Sequence, residues 1–307
     1  MPSRERQTFS LVPRRRLVGL PFGDLPSRRR GVGSDVIGTR PYEPGDPVST
    51  IDWFASARLS TARGRGEFVV RSRASDEAPR VALLVDRRPS MGLYPERFPW
   101  LSKRRALEEA VEAIVASAGA ARADVAALDL AGGEPYWLPP GRRERPSFIV
   151  DRARDATLFD APENGLELGL EFLVRLRSDL PQGSFLFVLS DFLVPPPTES
   201  WLDGLAHGWD IVPVVIQDPV WEQSFPATAG VALPLADPRS GRVALVRLGM
   251  RQVASRRLHN EERLRSLLAE FEILGMPPVL LGTSDQFDID RAFLAWAEER
   301  RRSRWDR

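Results

Sequence analysis

The chain has 307 residues, a length typical of two domains or of one domain with attachments. It has no cysteine and only two histidines, which excludes disulfide frameworks, thiolate metal sites, thiol nucleophiles and zinc sites built from several histidines. The net charge is +1, but residues 1–80 hold 15 arginines against 9 acidic residues, whereas the rest of the chain holds 28 basic and 33 acidic residues.

Residues 1–30 are rich in arginine, with triplets at 14–16 and 28–30, and show neither a helical nor an alternating apolar pattern. We therefore predict an extended basic arm. Such an arm can contact nucleic acid phosphates, an anionic membrane or an acidic protein surface, or it can simply be solvated. Nucleic acid is the weaker of these expectations, because no aromatic side chains interleave the arginines and no helix-turn-helix pattern is present.

Residues 31–78 contain turn-forming residues and one short strand pattern. The turn formers Pro44, Gly45 and Asp46 come first, and a strand is predicted over 67–71. We expect a small β-containing module here.

From residue 79 onward, short continuous apolar runs alternate with segments of helical periodicity. The patterns predict strands over 81–85, 124–130, 136–138, 184–190, 210–216 and 278–281, a hairpin over 231–248, and helices over 103–122, 146–154, 163–177, 198–207, 254–274 and 288–302. Strands that alternate with helices indicate an α/β fold with an open, mostly parallel sheet and helices on both faces. We assign residues 79–307 to this domain.

Two predicted strands deliver an aspartate to the same edge of this sheet. Asp86 follows the first strand, and Asp191 follows the strand that ends at Ser190. Ligands of open parallel sheets gather at the carboxyl ends of the strands, near the point where strand order reverses. The segment that begins at Asp86 and includes Arg88 and Ser90 resembles the D-x-S-x-S loop of von Willebrand factor A-type domains. That resemblance implies a metal-ion-dependent adhesion site.

A second resemblance lies upstream. The segments at 40–46 and 51–58 are similar to the signature of the bacterial "domain of unknown function 58" family, whose members place such a segment before a von Willebrand A-type domain. The signature residues are Tyr42, Pro44, Gly45, Asp46, Ile51, Asp52, Trp53 and Arg58. Lys103, the segment 190–192 and the segment 217–219 also resemble the family. The resemblance implies a non-enzymatic partner of a MoxR-type AAA+ ATPase, acting in assembly or maturation of client proteins.

The chain departs from the adhesion-site pattern at Arg88, which stands where the first serine of the motif belongs. Guanidinium only donates hydrogen bonds, so Arg88 removes a metal ligand and adds a positive charge. We predict a degenerate, metal-free site formed by Asp86, Arg88, Ser90, Asn164 and Asp191, in which Arg88 or Arg87 pairs with the two aspartates. The alternatives are a bound Mg²⁺ held by Asp86, Ser90 and Asp191, or aspartates that only cap helices and loops.

No pattern of a catalytic site is present. Neither a phosphate-binding loop nor a nucleophile elbow occurs, and His207 and His259 lack a nucleophile partner in any recognisable spacing. We therefore expect a protein that is not an enzyme and binds no cofactor.

Two aromatic clusters remain open to two interpretations each. Trp53 either docks a partner or packs its module on the sheet domain while Asp52 meets an arginine such as Arg58, and we favour packing because large aromatics usually bury most of their area. Trp221 and Phe225 either form an exposed interaction surface or anchor the predicted hairpin.

The location expected from the sequence is the cytoplasm. No apolar run approaches the ~18–20 residues that a membrane-spanning helix needs, and the N-terminus lacks the apolar core of a signal peptide. Peripheral membrane contact through the basic arm stays open. The sequence thus predicts a cytoplasmic protein–protein interaction adaptor; its alternatives are a cation-dependent binding module or a nucleic-acid or anionic-membrane binder.

Overall fold

The structure is a computed structural model. It describes residues 6–13, 36–41, 51–63, 68–73, 80–93, 101–142, 144–155, 157–237 and 242–305. The chain divides into two compact units, one formed by residues 15–79 and the other by residues 1–14 together with 80–307.

The described part of the smaller unit contains an antiparallel strand pair and one helix. Its elements are β1 (Val36–Pro41), α1 (Trp53–Arg63) and β2 (Val69–Arg73), and β1 pairs with β2. Helix α1 was not predicted, because it has no apolar stripe. Asp52 starts it by accepting a hydrogen bond from the backbone N–H of Ala55 through Oδ1, at 3.0 Å. The signature residues Tyr42, Pro44, Gly45 and Asp46 lie outside the described residues.

The expectation that Trp53 buries most of its area is wrong. Its side chain is 59% exposed, and its ring meets Phe68 edge to face at 5.9 Å within the smaller unit. Of the other signature residues, Ile51 is half-buried and Arg58 is exposed on α1. Within the described part of the smaller unit, Trp53 is thus not a core residue.

The larger unit is built on a six-stranded sheet. In chain order, its strands and one separate hairpin are β3 (Arg80–Val85), β4 (Asp124–Asp129), β5 (Tyr136–Gly141), β6 (Phe185–Ser190), β7 (Asp210–Ile216), the hairpin strands β8 (Ala232–Ala236) and β9 (Val243–Arg247), and β10 (Val279–Leu281). The order in the sheet is β5-β4-β3-β6-β7-β10, and every neighbouring pair is parallel except β4 with β5. The chain leaves β3 toward β4 on one side and returns to β6 on the other, so the strand order reverses between β3 and β6.

Six helices flank this sheet: α2 (Lys103–Ala120), α3 (Arg145–Arg154), α4 (Gly165–Arg175), α5 (Thr198–His207), α6 (Met250–Ile273) and α7 (Gln286–Trp305). Leu170 of α4, Trp201 of α5 and Phe271 of α6 share one core with Leu84 of β3. Helices α2, α3 and α7 pack together on the opposite face, where Phe293 of α7 meets Phe187 of β6 at 6.5 Å. The predicted α/β fold, von Willebrand A-like with an open and mostly parallel sheet, is confirmed.

Most element boundaries differ from the prediction by only a few residues. Helix α6 begins at Met250, four residues earlier than predicted, because Gly249 opens it and the side chain of Gln252 accepts a hydrogen bond from the Gly249 N–H at 2.8 Å. Strand β2 begins two residues later than predicted. Within the described residues, no helix is both long and apolar enough to cross a membrane.

Residues 6–13, within the arm that was predicted to be extended, pack against the larger unit. Phe9 is 4% exposed, its ring stacks on Phe293 of α7 at 4.8 Å, and its backbone N–H donates to Ser117 Oγ of α2 at 3.0 Å. Arg300 donates to the carbonyl of Val12. The pattern that the sequence analysis overlooked is the apolar group at 9, 11 and 12, which belongs to the core of the larger unit. Residues 1–5 and 14–30 lie outside the described part of the chain.

Candidate functional site

The site forms where the sheet order reverses, at the carboxyl ends of β3 and β6. Asp86 follows β3 directly, Ser190 ends β6, and Asp191 comes next. The backbone N–H of Asp86 bonds to the carbonyl of Leu189, which holds the two strand ends side by side. Asp86, Ser190 and Asp191 are 3%, 0% and 0% exposed.

Arg88 pairs with Asp86 through several contacts at once. Its Nε lies 3.0 Å from both carboxylate oxygens of Asp86, and its Nη2 lies 2.7 Å from Oδ2. The same Nη2 donates to Ser190 Oγ at 3.1 Å and lies 4.0 Å from Asp191 Oδ1. Ser190 Oγ donates to Asp86 Oδ2 at 2.6 Å. The guanidinium therefore lies between the two strand ends, within reach of both aspartates.

The other end of the guanidinium is also bonded. Nη1 of Arg88 donates to the carbonyl of Val194 at 2.6 Å and to that of Glu163 at 3.3 Å. These contacts tie the loop after β3 to the loop after β6 and to the turn before α4. Arg88 acts as a structural cross-link at this edge of the sheet.

Lys103 supplies a second buried cation. Its Nζ lies 2.8 Å from Asp191 Oδ2, 2.5 Å from Glu222 Oε1 and 3.3 Å from the carbonyl of Ser90. Lys103 is 0% exposed and Glu222 is 5% exposed. Glu222 is fixed in turn by the backbone N–H of Asp218, which donates to Oε2 at 2.8 Å. The loop after β7 is thereby tied to the first residue of α2.

The five predicted site residues differ in how far they are exposed. Ser90 is 3% exposed and Arg88 is 4% exposed, so these two are interior residues like the aspartates. Asn164 is exposed at the start of α4. Four of the five predicted site residues are therefore interior, and Asn164 is exposed.

Arg87, the other arginine considered for this role, points elsewhere. Its guanidinium donates to the carbonyls of Ala153 and Arg152 on α3 and lies 3.8 Å from Asp129. It also lies over the ring of Phe159 at 5.2 Å. Of the two arginines, Arg88 is the one that contacts Asp86 and Asp191.

The second aromatic cluster, Trp221 and Phe225, lies in the loop after β7. Phe225 is 3% exposed, Trp221 is half-buried, and their rings meet edge to face at 5.6 Å. Together with Leu248 and Val253 they form a small core beneath the β8–β9 hairpin. These aromatics anchor the hairpin.

The histidines lie away from the site. His207 ends α5, contacts the carbonyl of Leu180, and precedes the amino end of β7, which is the opposite edge of the sheet. His259 is exposed on α6.

Lys103 and Asp191 hold each other in their charged forms. Burial alone lowers the pKa of Lys103, but the carboxylates of Asp191 and Glu222 outweigh burial and raise that pKa above its usual value. Burial likewise raises the pKa of Asp191, but Lys103 and Arg88 outweigh it, so that pKa lies below its usual value. For Glu222, burial outweighs Lys103, and its pKa is raised.

We expect Lys103 to stay protonated until the pH exceeds 10.5, its ordinary pKa. Because folding raises this pKa, Lys103 stabilises the fold at every pH below 10.5, and that stability is lost as the pH rises through the raised value. Lys103 is the only lysine in the chain. Lysine labelled with ¹³C therefore gives a single side-chain NMR signal, whose pH titration measures this pKa directly.

The chain unfolded in urea is the control, and its lysine should titrate near the ordinary pKa of 10.5. A midpoint at or below that of the unfolded chain would show that Asp191 and Glu222 do not compensate the burial of Lys103.

The donor set does not fit a divalent cation. Both carboxylate oxygens of Asp86 already accept hydrogen bonds from Arg88, and Asp191 Oδ2 already accepts one from Lys103. Mg²⁺ needs several oxygen ligands in near-octahedral geometry, and it would have to displace two cations to reach these. Within the described residues, no group of three or more His, Asp or Glu side chains is arranged to hold a metal ion.

Sequence reasoning missed the pairing of Lys103 with Glu222. The residues are far apart in the chain, and no periodicity predicts such a contact. One signal was available: a single lysine, in a chain whose other positive charges are all arginine, stands at the start of a helix that follows the candidate loop.

Residues 38–266 match the model of the family described as "Protein of unknown function DUF58". No curated protein matches the chain. Among solved structures, BatB from Bacteroides thetaiotaomicron is similar with 16% identity and a TM-score of 0.45, over 72% of this chain and 100% of that one. An aerotolerance-related membrane protein from Bacteroides fragilis is similar with 14% identity and a TM-score of 0.44, over the same shares.

A third solved structure, the PilB minor pilin from Streptococcus sanguinis, has 10% identity and a TM-score of 0.38, over 77% of this chain and 65% of that one. The family match spans most of the present chain and includes both β3 and β6, which carry the buried site. The chain belongs to the DUF58 family of proteins of unknown function.

Proposed function

We propose that this chain is a non-enzymatic protein–protein interaction adaptor with a von Willebrand A-like domain whose adhesion-type site works without a divalent cation. Its proposed partner is a MoxR-type AAA+ ATPase, with which it acts on the assembly or maturation of client proteins. The proposal places both proteins in the cytoplasm.

The observation that carries the proposal is the pair of buried cations at the carboxyl edge of the sheet. Arg88 neutralises Asp86 and Lys103 neutralises Asp191, with contacts of 2.7 and 2.8 Å. In a metal-dependent adhesion site these carboxylates would bind a cation that a partner's carboxylate completes. Here protein side chains supply the positive charge, which supports binding that depends on surface shape and charge instead of a metal bridge.

The absence of a reactive group at the site supports a non-enzymatic role. Lys103 has a raised pKa and stays charged, so it is neither a nucleophile nor a general base at neutral pH. Ser190 Oγ donates to Asp86, which is itself paired with Arg88. The buried side chains hold the loops together and leave no activated nucleophile among the described residues of the site.

The partner is supported by the family resemblance, since related chains are commonly associated with MoxR-type ATPases. Binding of the full chain to the MoxR-type ATPase of the same organism tests it, measured by calorimetry in EDTA and again with millimolar Mg²⁺. We expect equal affinity in both conditions, within about twofold. We also expect no specific heat of binding when Mg²⁺ is titrated into the chain alone.

The outcomes separate the two parts of the proposal. Binding that is lost in EDTA, together with micromolar Mg²⁺ binding by the chain alone, would establish a cation-dependent module instead. No binding to the ATPase in either condition would overturn the partner. Chain titrated into buffer and a nucleotide-free sample of the ATPase are the controls.

A further inference from the structure

The β8–β9 hairpin has one buried face and one exposed apolar face. Leu233, Leu235 and Val246 pack against the small core formed by Phe225 and Leu248. The opposite face carries Val243, which is 64% exposed, and Leu245, which is 75% exposed. Side chains two apart on a strand share a face, so Val243, Leu245 and Arg247 stand in one row. Their cross-strand neighbours Ala232 and Pro234 are exposed as well.

The outer edge of β9 is open for pairing. The N–H of Asp237 bonds to the carbonyl of Arg242, so this pair of residues is hydrogen-bonded across the hairpin. Bonded and non-bonded pairs alternate in an antiparallel ladder, so the pairs that contain Val243, Leu245 and Arg247 are non-bonded. Their backbone N–H and C=O groups therefore point away from β8.

Pro234 fits this register and blocks the other edge. It lies opposite Leu245, where a residue without an N–H removes no ladder bond. Proline on an outward-facing position protects an edge strand from further pairing. Strand β9 has no such protection, and within the described residues the sheet ends at β8 and β9. One edge of the hairpin is thus closed and the other is available.

The charge around this edge is positive. Arg242 and Arg247 lie at the two ends of β9, and both are exposed. In the first turns of α6, Arg251 is exposed, while Arg256 lies over the ring of Phe225 and Arg257 donates to the carbonyl of Phe225, beneath the hairpin. Across the described residues 227–237 and 242–260, the sole acidic side chain is Asp237. A partner that lies along β9 therefore gains if it carries negative charge.

We propose that the outer edge of β9 binds an extended segment of a partner protein in which apolar and acidic residues alternate, by adding a strand to the hairpin. The backbone of the segment pairs with Val243, Leu245 and Arg247. Its apolar side chains lie on the face of Val243 and Leu245, and its acidic side chains lie on the opposite face, that of Arg242, close enough for the charge of Arg247 to attract them across the strand. This mode of recognition takes affinity from main-chain hydrogen bonds and specificity from alternate side chains.

The strand edge favours a peptide over an anionic membrane. Three residues with outward N–H and C=O groups offer directional hydrogen bonds that a lipid surface cannot pair as a strand does. The inference deepens the proposed protein-binding function by naming a surface for it. Its test uses a peptide, so that its failure is distinct from a failure to bind the ATPase.

The probe is a fluorescent peptide of about ten residues, the upper length of an ordinary strand, that alternates valine or threonine with glutamate. Its binding to the full chain is measured by fluorescence anisotropy. We expect Leu245→Pro to weaken binding about tenfold, because it removes one outward N–H and blocks the edge without removing a bond to β8. Arg247→Glu should weaken binding several-fold and make it less sensitive to salt.

Two controls test where and how the peptide binds. Arg265→Glu changes an exposed arginine farther along α6 and should leave the affinity unchanged within about twofold. In the wild-type chain, hydrogen exchange should slow at the amides of Val243, Leu245 and Arg247 when the peptide is bound. This measurement does not depend on whether Leu245→Pro disturbs the hairpin. A peptide with lysine in place of glutamate should bind more weakly.

Three results would overturn the inference. The wild-type chain could fail to bind the acidic peptide at high micromolar concentration, or the protected amides could lie away from β9. Alternatively, vesicles that contain anionic lipid could bind in a manner sensitive to Arg247→Glu while the peptide does not, which would make the hairpin a membrane contact.

Discussion

Replacing Lys103 with methionine is expected to lower the free energy of unfolding by about 3–5 kcal/mol at neutral pH. The substitution keeps most of the side-chain volume and removes the charge that faces Asp191 and Glu222, both buried. Glu222 then loses the ammonium that it faces in the interior, and Asp191 keeps only the more distant guanidinium of Arg88, at 4.0 Å. Urea denaturation of the full chain, followed by tryptophan fluorescence, measures the loss.

Arg175→Met is the matched control, since it also removes a cation from an ion pair. Arg175 faces Glu171 on α4, but both side chains are at least half exposed, so this loss should stay below about 1 kcal/mol. The double variant Lys103→Met/Glu222→Gln should lose less stability than Lys103→Met alone, because the buried negative charge of Glu222 is removed together with the ammonium that it faced. If Lys103→Met lowers the free energy of unfolding no more than Arg175→Met does, the ion pairs of Lys103 with Asp191 and Glu222 do not stabilise the site.

The effect of Lys103→Met should also depend on pH. Without the ammonium, the pKa of Asp191 rises from its lowered value, and the pKa of Glu222, already raised by burial, rises further. A carboxyl group with a raised pKa in the folded state destabilises the fold once the pH exceeds its unfolded value, and the destabilisation disappears as the pH falls below that value. The difference between the variant and the wild type should therefore shrink below pH 4.5, the ordinary value for a glutamate.

The sequence predicts those contacts of the site that form between residues close together in the chain or on neighbouring strands. It does not predict contacts between distant loops. Asp86 and Arg88 lie in one short loop, so their pairing could be anticipated from residue types alone. The meeting of Asp86 with Asp191 follows from sheet topology, because both come after buried strands that neighbour each other. The contact of Lys103 with Glu222 depends on how the loop after β7 folds over the start of α2, and residue patterns carry no such information.

The fold shows the same limit. Continuous apolar runs predicted β3 and β6, since strands buried on both faces need such runs. Helix α1 was missed because its stability comes from a cap at Asp52 and not from an apolar stripe. Burial of four of the five predicted site residues could not be read from the sequence either, because charged residues are expected on surfaces unless their partners are known.

Replacing Phe9 with alanine is expected to lower the free energy of unfolding by about 3–5 kcal/mol. Its ring lies in an aromatic group with Phe293, Trp296 and Phe187, with ring centroids 4.8, 5.8 and 6.3 Å away. Alanine leaves a cavity between α7 and the sheet that these rigid rings cannot fill. Phe287→Ala, which removes the same side chain from a position on α7 that is 52% exposed, should cost less than about 1 kcal/mol.

The behaviour of Phe9 decides how the N-terminal segment can be tested for binding. If residues 6–13 belong to the core, a deletion that removes them destabilises the whole domain, and lost partner binding then says nothing about a basic arm. The amide of Phe9, which donates to buried Ser117 Oγ, should exchange almost as slowly as the amides of β6. Fast exchange at this amide, or a Phe9→Ala variant as stable as Phe287→Ala, would show that residues 6–13 are not part of the core. With Phe9 in the core, charge-reversal of individual arginines in residues 14–30 tests the arm while leaving the aromatic group intact.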